Sequence, residues 1–416
     1  MRSITLHKPL ASIAGEVLMP GSKSISNRVL MIRALSQLPF SINNLSDSDD
    51  TSYLQTALHT IESANSTLID IGHAGTDMRF LTAYLSIRKG YYELTGSERM
   101  QQRPMKELVE VLKNLGADIL YRHQEGFPPL LINGKGLKGG KAVIKGNVSS
   151  QFISALLLVA PYFESGLELT IQNDLVSKPY VELTIGIMRS FGAQVSWKED
   201  CITVMPVPYH YAKAIYHVES DWSAASYYYG LVALSPVNTR LTLKGLFKDS
   251  LQADAVCSTI YKGFGIETQF NQQEVVISKT ANAMVSPFEY DFVNCPDIAQ
   301  TLACTCLGLQ IPFYMTGLQT LKLKETDRIL AIQEEFKKMN VEVQVSDAAI
   351  HYKGDPYRLN HRILSISTYN DHRMAMSFAQ FAVLMDEVEI EDAEVVSKSY
   401  PLFWKDLKQI GIHSEP

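Results

Sequence analysis

Apolar positions in this 416-residue chain fall into short clusters separated by small or polar turns, and the order of the clusters repeats. A strand-like run leads to a turn of Gly, Ser, Asn or Asp, and the turn leads to an apolar helix. The layout is first seen at Pro20-Gly21-Ser22-Lys23-Ser24-Ile25-Ser26-Asn27-Arg28, just before Val29-Leu30-Met31-Ile32. It returns at His73-Ala74-Gly75-Thr76, Asn147-Val148-Ser149-Ser150, Glu219-Ser220-Asp221-Trp222, Cys295-Pro296-Asp297 and Asn370-Asp371-His372-Arg373. From Ser150 onward the spacing is nearly constant: Ser150, Trp222, Asp297 and Arg373 lie 72 to 76 positions apart. A fixed period marks a repeated supersecondary unit. A second helix follows in each unit. Those over residues 108–116, 183–192, 255–265 and 403–411 end in Gly, and 329–340 ends in Asn340; both residue types tolerate the left-handed C-cap. Short β-like runs such as Leu130-Leu131-Ile132 and Glu274-Val275-Val276-Ile277 lie between helices. The pattern predicts an α/β chain of six β-α-β-α-β-β units, the first two closer together than the rest.

A chain of this length exceeds what one core usually holds, so two domains are expected. Formal net charge is −6, which argues against a nucleic-acid partner held by bulk positive charge and against an RNA-end-processing enzyme. The longest apolar run, residues 152–163, contains Ser154 and Pro161 and is too short to span a bilayer. No signal or transit pattern opens the chain. A cytoplasmic protein without a membrane partner is the expectation. The five cysteines form no Cys-x-x-Cys pair and read as reduced thiols, with Cys304 and Cys306 in a core helix. The ten histidines show no ligand spacing, so no metal is expected.

Charge changes the picture at the helix starts. Such a start offers unpaired N–H groups and the positive end of the helix dipole, and Lys23 and Arg28 add full charges. Phosphate or carboxylate is the natural ligand there; a plain serine cap is the alternative. Arg103, before Pro104 at the expected first position of a helix, places a cation where the dipole disfavours it unless an anion is bound. Lys324 and Arg328 can share a face around Glu325; a surface Glu–Arg network capped by Thr326 is the alternative. Arg373 and Lys398 add two more cations. His372 reads as an orienting or packing residue. Ser149, Ser150, Gln151 and Ser177 supply groups suited to a polyol or phosphate, or helix caps. Asp297 reads as an N-cap or, in a cleft, as an acceptor for a substrate hydroxyl proton. There is no Ser-His-Asp order, Walker lysine motif or dinucleotide fingerprint.

These motifs resemble the family of 5-enolpyruvylshikimate-3-phosphate synthases. The resemblance rests on residues 20–28 and on Leu323-Lys324-Glu325-Thr326-Asp327-Arg328, and the order of the other motifs extends it over nearly the whole chain. It implies a two-domain enolpyruvyl transferase-like fold with three repeats per domain and an active site in the interdomain cleft. One domain would be 1–20 plus 219–416, the other 21–218. The implied reaction joins shikimate 3-phosphate to phosphoenolpyruvate and releases phosphate, with no cofactor or metal and with the chain as a monomer. By the same resemblance, Lys23, Ser24, Arg28, Ser149, Ser150, Gln151, Ser177, Asp297 and Lys324 would hold shikimate 3-phosphate. Lys23, Gly75, Arg103, Gln151, Arg328, Arg373 and Lys398 would surround phosphoenolpyruvate. Asp297 would take the hydroxyl proton, Glu325 would serve the carbon that gains one, and Lys23 would assist.

Three positions depart from the family pattern. His73 replaces the usual Asn, Phe80 replaces a frequent Pro, and Thr320 replaces an Asn that touches the shikimate phosphate in some members. The resemblance also implies that glyphosate competes for the phosphoenolpyruvate subsite, with Gly75 leaving room for it. Two rival readings are a transferase acting on a UDP-amino sugar and a catalytically silent homologue that binds phosphorylated metabolites. The first usually carries a reactive cysteine before its Arg-Pro motif, where this chain has Arg99-Met100-Gln101-Gln102. Intact Lys23, Asp297 and Glu325 argue against the second.

Overall fold

The computed structural model describes residues 3–63, 66–147, 149–355 and 363–415. They separate into two compact units, Ser22–Val218 and the pair Met1–Gly21 with Glu219–Pro416. Val148, in the third repeat of the sequence motif, lies outside the described residues, as do residues 64 and 65 of the segment after the first repeat.

The inserted unit, Ser22–Val218, shows the predicted repeat most plainly. Strand Leu68–Asp70, helix Gly75–Ile87, strand Gly90–Thr95, helix Lys106–Asn114 and strands Asp118–Tyr121 and Leu130–Gly134 follow in order. The first two strands pair parallel and the rest antiparallel. Residues 140–204 repeat this order around helices Ser150–Val159 and Lys178–Ser190. The earliest repeat is reduced. Its helices are Lys23–Ser36 and Asp49–Ser63, and its sheet holds only Ser41–Asn43 and Ile215–His217, paired parallel.

Among the described residues, the discontinuous unit contains three four-stranded sheets. Ala14–Leu18 pairs parallel with Arg240–Lys244, so the chain supplies one strand before leaving this unit and its neighbour after returning. A bridge between Gly21 and Ser220 joins the outgoing and incoming segments, and the Asp221 N–H donates to the Pro20 carbonyl at 2.8 Å. Ile4–His7 lies between Glu387–Ile390 and Ser414–Glu415, antiparallel to both.

Apolar patterning decides which helices lie inside. Helices Gly75–Ile87, Ser150–Val159, Trp222–Leu234 and Ala299–Gly308 are buried nearly all round. A helix apolar on every face belongs in a core. In the second-position helix Lys106–Asn114, by contrast, Leu108, Val109, Val111 and Leu112 are buried while Glu110 and Lys113 face water. Small polar groups join the inner helices of the discontinuous unit: Thr305 Oγ1 donates to Gln380 Oε1 at 2.8 Å, and Thr301 and Ser377 hydroxyls lie 3.3 Å apart. Cys304 and Cys306 are buried in this helix layer.

The expected helix stops are present. Gly116, Gly192, Gly265, Gly411 and Asn340 all have positive φ. The segment before Gly265 differs from a continuous helix: it is a 3-10 turn, Ala253–Val256, then Cys257–Ile260 and a second 3-10 turn, Tyr261–Phe264.

Candidate active-site residues

In the inserted unit the first helices start close to one another. Lys23 opens helix Lys23–Ser36, and its Nζ lies 2.9 Å from Asp50 Oδ2. Asn27 Nδ2 donates to Asp77 Oδ1 at 2.7 Å, tying that helix to Gly75–Ile87. Gln151 Nε2 donates to Thr76 Oγ1 at 3.3 Å, tying helix Ser150–Val159 to the same place. Ser149 caps that helix, accepting from Gln151 N at 3.3 Å, and Ser150 is buried. Ser177 precedes helix Lys178–Ser190 in a left-handed conformation, φ 55°, without a side-chain cap bond. Its buried hydroxyl is therefore not committed as a helix cap.

Arg28 is the central cation of this group. Its Nε donates to Thr184 Oγ1 at 2.7 Å, Nη1 to the Ser24 carbonyl at 2.9 Å, and Nη2 to Ser154 Oγ and the Tyr180 carbonyl, both at 3.3 Å. The Phe80 ring lies beneath it, 5.4 Å from centroid to guanidinium carbon. All these partners are neutral, and burial brings the guanidinium down to about 10 while Tyr180 pulls the other way. A buried cation served by neutral groups attracts an anion strongly.

Arg79 and Arg103 form a second cationic pair. Arg79 is buried, and burial and then repulsion from Arg103 hold it well below the ordinary arginine value. It donates to the Gly75 carbonyl at 2.9 Å. A Cβ on Gly75 would lie 2.2 Å from Arg103 Nη1. The space left by the missing side chain is thus taken by the Arg103 guanidinium. This revises the sequence reading, in which Gly75 leaves room directly for a ligand.

The discontinuous unit holds a network of opposite charges. Arg328 opens helix Arg328–Lys338 and is 2 % exposed. Its Nε donates to Asp371 Oδ2 at 2.7 Å, Nη1 to Asp297 Oδ1 at 3.3 Å and Nη2 to Glu325 Oε2 at 3.0 Å. Burial opposes its charge, but Asp371 and Glu325 outweigh burial and raise its pKa. Arg373 Nη2 meets Asp297 Oδ2 at 2.8 Å, and Nη1 reaches Tyr227 Oη and the Asp297 carbonyl at 3.3 Å. Lys324 Nζ approaches Asp297 Oδ1 at 3.4 Å, while burial lowers the Lys324 pKa and Asp297 opposes the shift. Lys398 Nζ lies 3.2 Å from Glu325 Oε1.

Several local expectations are corrected. Asp297 is not an N-cap: Cys295 holds that position, and Asp297 receives Lys324, Arg328 and Arg373. The helix after Glu325 is capped by Asp327, which accepts from Ile329 N at 3.2 Å, rather than by Thr326. Pro104 precedes the N-cap Met105 instead of occupying the first helical position. In the Glu–Arg group Arg328 is buried and Glu325 half-buried, so the pair is not a surface network. His372 is buried, with Nδ1 3.9 Å from Asp371 Oδ1, in keeping with an orienting or packing place. Phe80 lies under Arg28, one of the residues the resemblance implies for shikimate 3-phosphate. Thr320 Oγ1 is buried with no hydrogen-bond partner among the described residues. Sequence reasoning missed Asp50 and Asp371, the carboxylates that hold Lys23 and Arg328, and the role of Arg79. Asp371 stood in a recognised motif, so its position before a helix was the available signal. Among the described residues no group of three or more His, Cys, Asp or Glu could hold a metal ion.

The family model described as EPSP synthase (3-phosphoshikimate 1-carboxyvinyltransferase) matches residues 7–407. A Bacteroides fragilis protein named 3-phosphoshikimate 1-carboxyvinyltransferase is 45% identical over 404 residues, covering 96% of each chain. A Photobacterium damsela relative of the same name is 36% identical, covering 99% of this chain and all of the relative. Among solved structures, an EPSP synthase from Acinetobacter baumannii aligns with TM-score 0.79 at 20% identity, covering 100% of this chain and 99% of the other. The enolpyruvyl transferase NikO from Streptomyces tendae aligns with TM-score 0.75 at 15% identity, covering 99% and 98%. At such identities the structural likeness concerns the fold.

Proposed function

This chain belongs to the EPSP synthase (3-phosphoshikimate 1-carboxyvinyltransferase) family, and we propose that its helix-start residues divide the work of that reaction as follows. The enzyme transfers the enolpyruvyl group of phosphoenolpyruvate to shikimate 3-phosphate in aromatic amino-acid biosynthesis. The acceptor is the 5-hydroxyl, and phosphate is released. Ser24, Arg28, Ser149, Ser150, Gln151, Ser177 and Lys324 bind shikimate 3-phosphate, with Thr320 as a further hydroxyl donor. Lys23, Gly75, Arg103, Gln151, Arg328, Arg373 and Lys398 serve phosphoenolpyruvate; Gly75 does so by admitting the Arg103 guanidinium.

The hydroxyl oxygen bonds to C2 of phosphoenolpyruvate while Asp297 accepts its proton. C3 gains a proton from Glu325. The tetrahedral adduct then expels phosphate as C3 returns a proton to Glu325 and the double bond reforms, and the hydroxyl proton held by Asp297 leaves with the phosphate. Lys23, positioned by Asp50, offsets developing negative charge. We take the two units to be the family's two domains and the chain to act as a monomer in the cytoplasm, without nucleic acid. No helix among the described residues is long and apolar enough to cross a membrane.

The observation that carries the subsite assignment is Arg28, buried and served, among the described residues, by neutral oxygens. Mixing both substrates with the protein should release phosphate; binding without turnover would favour the silent-homologue reading. Arg28→Ala should weaken shikimate 3-phosphate by about 2–5 kcal/mol, roughly 30-fold to 4,000-fold in Kd, with a smaller effect on phosphoenolpyruvate. Calorimetric titration with each ligand checks this, and the reverse pattern would show the subsites exchanged.

Gly75→Ala tests the second assignment. The added methyl must displace Arg103, whose Nη1 lies 2.2 Å from the new carbon. A displacement of this size is expected to lower kcat/KM for phosphoenolpyruvate on the order of 10²-fold. The KM for shikimate 3-phosphate should change far less. Equal losses for both substrates would deny Gly75 its part in placing Arg103.

A further inference from the structure

Asp254 lies in the 3-10 turn Ala253–Val256 of the discontinuous unit and is 3 % exposed. No motif singled it out, and the roles proposed above do not use it. Its Oδ2 accepts a hydrogen bond from the Ser223 hydroxyl, near the start of helix Trp222–Leu234. Its Oδ1 is buried with no hydrogen-bond partner among the described residues. A bare carboxylate oxygen in such a place is costly, and carrying a proton removes most of that cost.

The surrounding charges act in the same direction. Asp297 and Asp221 repel a negative charge on Asp254, and Arg373 attracts one. Two thiols also face it, Cys257 and Cys295; burial first, and then Asp254 itself, raise both, so they remain protonated. Burial, followed by Asp297, raises the Asp254 carboxyl to about 7, against the lowering effects of Arg373 and the Ser223 hydrogen bond.

We propose that Asp254 is a positioning residue that carries the proton of an Asp254–Asp297 pair, leaving Asp297 as the charged member that meets Arg373 and faces the substrate hydroxyl. Two neighbouring carboxyls divided into one neutral and one charged group are a recurrent way of separating acid and base roles. When Asp254 loses its proton, a second negative charge competes for Arg373. Arg373 is then drawn away from the phosphoenolpyruvate carboxylate, and turnover falls on the alkaline side. This kinetic consequence rests on the proposed base role of Asp297; the protonation of Asp254 does not.

The two parts are tested separately. Infrared difference spectra of the ligand-free protein should show a protonated-carboxyl C=O band that fades as pH rises through about 7. The band should be absent in Asp254→Asn. Thermal unfolding gives a second readout. The folded protein keeps the Asp254 proton up to a higher pH than the unfolded chain, so the stability it contributes at low pH is lost as pH rises toward the folded value. Asp254→Asn should flatten the fall in Tm between about pH 4 and pH 7. Ser223→Ala removes a hydrogen bond that favours the charged form, so the band should persist to higher pH; this variant decides the matter if Asp254→Asn does not fold.

In turnover, the alkaline limb of kcat/KM for phosphoenolpyruvate should disappear in Asp254→Asn and move to higher pH in Ser223→Ala. Superimposable pH profiles for the three proteins would overturn the positioning role, and a wild-type spectrum lacking the band would overturn the protonation itself. Absence of phosphate release by the wild type would instead count against the proposed reaction, with the spectra still deciding the state of Asp254.

Discussion

Replacing Glu325 with Gln is expected to lower turnover by about 10²–10⁴-fold, the usual contribution of a group that transfers a proton in the transition state. The substitution keeps the size of the side chain and removes its ionisable proton. In the wild-type structure each carboxylate oxygen has a cation, Lys398 Nζ at 3.2 Å on Oε1 and Arg328 Nη2 at 3.0 Å on Oε2. Glutamine can retain one of these contacts through its carbonyl, while its amide meets a cation unfavourably. Some loss of phosphoenolpyruvate affinity through Lys398 is therefore expected along with the loss of rate. Shikimate 3-phosphate binding, assigned to other residues, should change much less. Pre-steady-state phosphate release with saturating substrates separates the effects. Near-normal turnover would remove Glu325 from the mechanism.

The largest effect on stability is expected for Asp371→Ala. Asp371 is fully buried and accepts from Arg328 Nε at 2.7 Å, Arg328 Nη2 at 3.3 Å and the Arg373 N–H at 2.8 Å. Alanine removes a helix cap and leaves the Arg328 charge in the interior without its nearest carboxylate. Breaking a buried pair in this way typically costs about 3–5 kcal/mol. The midpoint of urea unfolding should fall accordingly, with little change in slope. Arg328 would also lose the contact that aims its other nitrogens at Asp297 and Glu325, so any protein that still folds should be impaired in turnover. A loss below about 1 kcal/mol would mean that the Arg328–Asp371 pair is not the organising contact of this unit.

The repeat was legible because its signals are local. Apolar runs, turn residues and Gly stops lie within a few positions of one another, and the positive φ values of Gly116, Gly192, Gly265 and Gly411 answer to them. The helix starts were legible for the same reason, since Ser-Lys-Ser or Asp-His-Arg before an apolar run places polar groups at exposed N–H ends. What local patterns could not supply was the partner of each charge. Lys23 meets Asp50 and Arg328 meets Asp371, contacts made only after separate helices pack. Nor does Gly75 advertise that Arg103 fills its vacant side, because nothing in residues 73–80 specifies where a side chain from a later turn will lie. Sheet membership was the other gap. The reduced first sheet pairs Ser41–Asn43 with Ile215–His217, and a period read along the chain cannot reveal a partner that distant.

The placement of Ile4–His7 between Glu387–Ile390 and Ser414–Glu415 bears on how the protein is born. A ribosome releases residues 4–7 well before the two segments that flank them. At about 5–20 residues per second, that strand waits roughly 20–80 s for its neighbours. Ala14–Leu18 likewise waits for Arg240–Lys244. The inserted unit is finished sooner: among the described residues every strand partner it uses lies between residues 41 and 217, its longest wait being that of Ser41–Asn43 for Ile215–His217. It can be complete while Leu6 and Val17, both fully buried at the end, are still uncovered near the ribosome. During synthesis these two short edges are therefore the natural sites for chaperone capture, and also where a stalled chain is most exposed to pairing with the wrong strand.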